Sequence, residues 1–185
     1  MAQPGLTPGM AAEKLERVWG ARVTQAWARE TLREVARRRP GMDAISTMRE
    51  VANQWLDVDV RVAGVTAGPV LPPNMAESRV VRLPGIYVLM LVEGVERVGG
   101  TQHSLLLTDG CQEVKALEAM EGPTPELLDS IPFGTKLQLQ GPVTARSGLL
   151  FLEPGQVEVW GGEVTQQHPP HQQQQHLLHD GGYQQ

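Results

Sequence analysis

LPGIYVLMLVEGVERVGGTQHSLLLTDGCQEVKALE, residues Leu83 to Glu118, is the stretch that decides the fold. Its apolar run from Ile86 to Val95 follows a Pro84-Gly85 break and predicts a long strand. Gly99-Gly100 offers a short turn, after which Ser104 to Leu107 forms a second strand. Thr108-Asp109-Gly110 is a strong turn signal, because glycine supplies a positive φ and the aspartate side chain caps the turn. Cys111 to Leu117 then returns as a third strand, with Val114 and Leu117 as its apolar members.

Downstream, Gly122 to Ser130 contains Pro123, Pro125 and Leu127-Leu128 and suits a short helix between strands. Thr135 to Gln140 alternates, placing Leu137 and Leu139 inward and Lys136, Gln138 and Gln140 outward. Ser147-Gly148 turns into Leu149 to Leu152, and Glu153-Pro154-Gly155 turns into Val157 to Trp160. A long strand, a hairpin, a third strand, a helical link and a closing hairpin is the usual layout of a five-stranded OB-type barrel, here over 85–164. Other small barrels share most of that pattern. Past Val164 the Gln/His-rich tail, 165–185, is low in complexity and is expected to be disordered.

Upstream, residues 1–9 carry two Pro/Gly breaks and read as a disordered start. Residues 10–58 predict a three-helix bundle. The first helix, Met10 to Trp19, shows Leu15, Val18 and Trp19 as its apolar edge. Thr24 caps the second, whose Ala28, Leu32, Val35 and Ala36 recur at helical spacing before Pro40-Gly41. Asp43 caps the third, which carries Ala44, Met48, Val51, Ala52 and Trp55 on one face. A Pro/Gly-rich connector over 59–84 follows, in which Val60 to Val65 could add an edge strand. The fold class is therefore α+β: a three-helix bundle, then a barrel.

With 41% hydrophobic residues but only 4% aromatic, aliphatic side chains must fill the core. The net charge of -5 argues against tight nonspecific binding to nucleic acid, which needs a basic surplus. A single cysteine, Cys111, excludes an internal disulfide and points to a reducing compartment, cytosol or nucleus. The N-terminus lacks a secretory pattern, and the longest apolar run, Ile86 to Val92, is too short to span a bilayer. No membrane association and no cofactor are expected.

Several stretches resemble the RecQ-mediated genome instability protein 1 family: VTQAWARETL and NQWLDVDVR in the helical part, and Leu71-Pro72 in the connector. In the barrel they are LPGIYVLMLVEGVERV, LLLTDGCQEVKALE, IPFGTKLQLQG and SGLLFLEPGQVEVWGGEV, all in family order. The resemblance implies a helical bundle packed on an OB barrel. It also implies a non-enzymatic nuclear adaptor that binds topoisomerase III and a Bloom-type RecQ helicase, meeting DNA mainly through that complex and supporting double Holliday junction dissolution. Tudor-domain-containing protein 3, a relative serving another topoisomerase III isoform, is the second family reading; no Tudor-like segment is seen. Animal members carry a long loop between the first two barrel strands, where this sequence has only Val98 to Gln102. Their second, C-terminal barrel is not in this sequence.

Candidate partner contacts are Lys136, expected as a hydrated lysine in an outward row, and Val98, Gly99, Gly100, Thr101 and Gln102 at the β-turn. A single-stranded nucleic-acid-binding module is the alternative reading, but between Arg79 and Val164 six basic residues face eleven acidic ones. Trp19, Trp27 and Trp55 are expected in the helical core or its seam with the barrel. Gly161-Gly162-Glu163 either docks the barrel on the bundle or simply ends the last strand. His168, His171, His176 and His179 lack a cysteine partner and a framework, so no metal site is expected. Arg37-Arg38-Arg39 suits a helix C-terminus. No nucleophile, base and orienting group assemble, so no enzyme is expected.

Overall fold

Three hydroxyl or carboxylate caps start the helices of the computed structural model, which describes residues 6–73, 75–93, 96–98, 102–118, 131–153 and 155–164. The expected linking helix at Gly122 to Ser130, the turn residues Gly99 to Thr101 and the tail 165–185 lie outside those residues. Thr7 Oγ1 accepts from Met10 N at 3.3 Å to open α1 (Pro8–Trp19), and Gly20 closes it in the left-handed region. Thr24 opens α2 (Gln25–Arg38) by accepting from Trp27 N at 3.1 Å. Asp43 opens α3 (Ala44–Leu56), accepting from Ser46 N at 2.8 Å, and that bond holds its carboxyl below the usual carboxylate range. The basic run behaves as expected of a helix end: Arg37 and Arg38 pair with Glu34, and Arg39 with Glu50.

Helical spacing found most of the buried face. Ala28 and Val35 are buried on α2, as are Met48, Val51 and Trp55 on α3. Two expectations fail at the rim of the stripe. Val18 is 49% exposed, and Ala36 faces solvent while Thr31 takes the buried position.

The barrel is built from β1 (Val81–Leu83), β2 (Ile86–Leu91), β3 (Glu96–Val98), β4 (Gln102–Thr108), β5 (Glu113–Glu118), β6 (Lys136–Gln140), β7 (Val143–Arg146), β8 (Leu149–Leu152) and β9 (Val157–Gly161). These nine segments, against five expected strands, form one sheet in the order β1-β7-β8-β5-β4-β2-β6-β9, with β3 on β4. The extra count comes from bends. β1 and β2 are halves of one strand broken at Pro84-Gly85; β6 and β7 are halves of another, broken at Gly141-Pro142. Because β6 pairs with β2 while β7 pairs with β8, that second bent strand closes the ring. The parallel pairing of β5 with β8 completes the OB circuit. β1 and β7 were not anticipated, and Val60 to Val65 forms turns, with Val60 and Val65 as buried anchors.

Two apolar clusters result. One fills the barrel and includes Leu89, Leu91, Leu105, Leu107, Leu137 and Leu139, with Leu71 and Met75 of the connector inserted among them. The other joins the helices to the outer face of the barrel through Val88, Met90, Trp160 and Val164. Fully burying each such side chain is worth about 1.5–3 kcal/mol, so the bundle and barrel are coupled by packing. Trp55 is buried in that second cluster, and Trp19 and Trp27 pack against it.

Candidate protein-docking site

The connector is strapped to both halves. Thr24 N donates to Val65 O at 2.8 Å and Ala67 N to Arg22 O at 3.2 Å, holding 65–67 against the start of α2. At the barrel, Asp109 is only 5% exposed and its carboxylate accepts four backbone bonds. Oδ1 takes Cys111 N and Gln112 N at 2.9 Å each, the turn cap expected from sequence. Oδ2 takes Val70 N and Leu71 N at 3.0 Å each, which fixes the connector where Leu71 enters the barrel. Gln112 Nε2 adds a bond to Leu71 O at 2.9 Å. Gly110 next to it has φ +89, and a Cβ there would stand 2.4 Å from Val60 O.

Lys136 corrects the sequence reading. Its parity is outward, but its side chain is 0% exposed, because the helical bundle covers that side of β6. Nζ donates to Leu56 O at 2.8 Å, Val58 O at 2.7 Å and Gly134 O at 2.9 Å, and lies 5.8 Å from the centre of the Trp55 ring. Its partners are thus carbonyls of its own chain, two at the end of α3 and one just ahead of β6, so Lys136 has no surface to offer another protein. Gly162 reinforces this seam: at φ +88 its backbone runs so close to α3 that a Cβ would lie 2.1 Å from Leu56 O. The Gly161-Gly162 exit therefore docks the barrel on the bundle as well as ending β9.

Burial lowers the Lys136 ammonium from 10.5 to about 8, while the charges of Asp59 and Asp57 pull it partly back up. An unfolded lysine keeps the higher value, so between about 8 and 10.5 the unfolded chain binds more protons than the folded one. Unfolding free energy from this group therefore rises with pH across that window and is lost as pH falls through the folded value. Urea unfolding at several pH values in the window is expected to show the native chain gaining stability on Lys136→Met as pH rises. Parallel pH curves for the two proteins would rule out this titration.

Of the residues expected to meet a partner, Val98 and Gln102 are described, at the facing ends of β3 and β4. Val98 pairs with Gln102 as the last rung, below Arg97 with His103 and Glu96 with Ser104. On the middle rung, His103 Nδ1 lies 2.5 Å from Glu118 Oε2, both buried. This inward-facing pair ties β4 to β5 alongside the β3–β4 ladder. Sequence reasoning passed over it because His103 and Glu118 each fall one residue outside the strands read from sequence, Ser104 to Leu107 and Cys111 to Leu117.

Chemistry at these groups is structural. The thiol of Cys111, though exposed, is pushed up by burial and by the charge of Asp109, the opposite of what a nucleophilic thiolate needs. Among the described residues no group of three or more His, Cys, Asp or Glu side chains could hold a metal, and the four tail histidines fall outside them. The barrel aromatics are dispersed: Tyr87 packs on the barrel core, Trp160 on the bundle, and Phe133 and Phe151 lie under Arg61 and Arg146. They form no row of stacking platforms.

Residues 22–175 match the family model described as RMI1, N-terminal OB-fold domain. Similar curated proteins include RecQ-mediated genome instability protein 1 of Danio rerio, 30% identical over 152 residues, covering 64% of this chain and 28% of that protein. The protein of the same name from Arabidopsis thaliana is 31% identical over 138 residues, covering 68% of this chain and 20% of its own length. That from Xenopus laevis is 30% identical over 150 residues, covering 63% and 26%. The chain thus spans between a fifth and about a third of the relatives it matches. A bundle fused by a buried lysine to an OB barrel, matched over that length, places the chain in the RecQ-mediated genome instability protein 1 family, as its N-terminal OB-fold unit.

Proposed function

We propose that this chain is a non-enzymatic nuclear adaptor that docks on topoisomerase III within a RecQ helicase–topoisomerase complex and supports double Holliday junction dissolution. The observation that carries the reading is the family match across the fused bundle and barrel, with relatives named for RecQ-mediated genome stability. The side-chain bonds described above serve to hold one rigid body together, which is what a docking subunit requires. The β3–β4 hairpin, with Val98 and Gln102 at its last described rung, is the element offered to the enzyme.

The test is co-elution of the purified chain with the topoisomerase III of the same organism, followed by decatenation with and without it. Association is expected, with faster decatenation. Replacing 98–102 by a two-residue Asn-Gly turn is expected to keep the fold and reduce the stimulation at least about threefold. Absence of association at about 10 µM would sink the proposal. Tight, steeply salt-sensitive oligonucleotide binding by the chain alone would replace it with the nucleic-acid reading.

A further inference from the structure

The bundle covers only one side of the barrel, over β2, β6 and β9, and the opposite outer face carries its own pattern. Strand register aligns two outward rows there. Ser104, Leu117, Phe151, Thr144 and Arg82 form one across β4, β5, β8, β7 and β1. Leu106, Lys115, Leu149 and Arg146 form the other across β4, β5, β8 and β7. The alternate residues of the same strands, among them Leu105, Ala116, Leu150 and Ala145, are buried in the barrel, which confirms the parity.

Two features set this face apart. Leu106, Leu117, Leu149 and Phe151 are half-buried side chains in contiguous positions, each still with surface to bury. Arg82, Lys115 and Arg146 beside them are exposed, and none of the three ion-pairs with a carboxylate of the described residues. From β4 to β1 the nine residues of the two rows include no acid, in a chain whose formal charge is -5. The nearest carboxylates stand at the rim: Glu96 of β3 opposite Ser104 at the end of the first row, Glu113 of β5 one row beyond Lys115, and Glu153 just past β8. Lys115 and Arg146 flank Leu149 on neighbouring strands, which separates their backbones by about 10 Å.

We infer that this face is a docking surface for an acidic peptide segment carrying aliphatic or aromatic anchors. The charge complement is set by three cations around an apolar centre. A protein ligand fits better than single-stranded nucleic acid because three of the four apolar side chains are leucines, which offer no planar face to a base. The single aromatic, Phe151, is already covered on one side by Arg146, 5.8 Å from the ring centre. The surface is separate from the β3–β4 turn and does not depend on the partner being a topoisomerase.

The experiment is fluorescence anisotropy of the full chain with a labelled short peptide alternating Asp/Glu with Leu/Phe. Controls are the same peptide with Lys at the acidic positions, the same peptide with Ser at the apolar positions, and an oligothymidine strand. Saturable binding is expected, weakened at least about tenfold in an Arg82→Glu, Lys115→Glu, Arg146→Glu variant and by either change to the peptide. Amide shifts of the native chain on peptide addition are expected along β4, β5, β7 and β8, which decides the matter even should the triple variant misfold. The inference is overturned by absence of binding, by equal binding of the Lys peptide, or by shifts confined to other strands. Oligothymidine that binds more tightly and displaces the peptide would assign the face to nucleic acid instead.

Discussion

Asp109→Ala is expected to destabilise the chain by about 4 kcal/mol or more, the largest effect of any single side chain in the barrel. Four backbone N–H groups, those of Val70, Leu71, Cys111 and Gln112, converge on one carboxylate that is almost closed to solvent. Bonds to a charged acceptor are worth about 1.5–3 kcal/mol each, and donors left unpaired in a buried site cost a further 1–3. Alanine removes every acceptor at once and admits little water. Asp109→Asn is expected to recover only part of the loss, about 1 kcal/mol, since its NH2 group would point at two N–H donors. Urea unfolding gives the magnitude. Proteolysis gives the location, because cleavage is expected first in 60–73, once Leu71 is no longer held in the barrel. A change below about 1 kcal/mol in the alanine variant would show that these donors find other partners.

That carboxylate also marks where reading the sequence stopped short. The turn cap through Oδ1 is a local bond, two and three residues away, and Thr108-Asp109-Gly110 announces it. The bonds through Oδ2 reach back 38 and 39 residues, and nothing in the chain near Asp109 signals them. The helices were legible for the same reason: Thr24 and Asp43 cap groups three residues on, and the apolar stripes repeat within a few turns. β1 and β7 were missed because each is short and lies beside a proline; β1 exists only through β7, some sixty residues away, as in Val81 opposite Ala145, and β7 joins that pairing to its hairpin with β8. The barrel interior was readable at Leu137 and Leu139, where alternation separates two faces. Alternation does not say what lies beyond the outer face. On β6 it is the end of α3, on β5 and β8 it is solvent, and the same polar-apolar pattern served both. The outer rows of β5 and β8 are therefore invisible to a residue count, which sees six cations among eleven acids and not three cations standing together.

Lys136→Met is expected to cost about 3 kcal/mol at neutral pH and to lower the melting temperature by about 6–12 °C. Methionine keeps much of the length and the apolar stem, so the loss isolates the ammonium and its three carbonyl partners, Leu56 O, Val58 O and Gly134 O. Those bonds are worth more than 3 kcal/mol in sum, but the variant no longer buries a charge, and about half of the gross loss is recovered. Lys136→Arg is expected to do no better. Its charge is retained, but the planar guanidinium needs more room than a fully enclosed slot between the end of α3, with Trp55, and Gly134 provides. Equal damage from Met and Arg would show that the slot selects a compact cation rather than a positive charge as such. The site of failure distinguishes this role from a generic core defect: hydrogen exchange is expected to rise first at the carboxyl end of α3 and at 161–164, with the barrel interior protected until global unfolding. Docking of the proposed topoisomerase partner on the Met variant, measured well below its melting temperature, is then expected to track the closed fraction of the seam. Full stability combined with lost binding would show instead that Lys136 reaches the partner directly, by a rearrangement that frees it from α3.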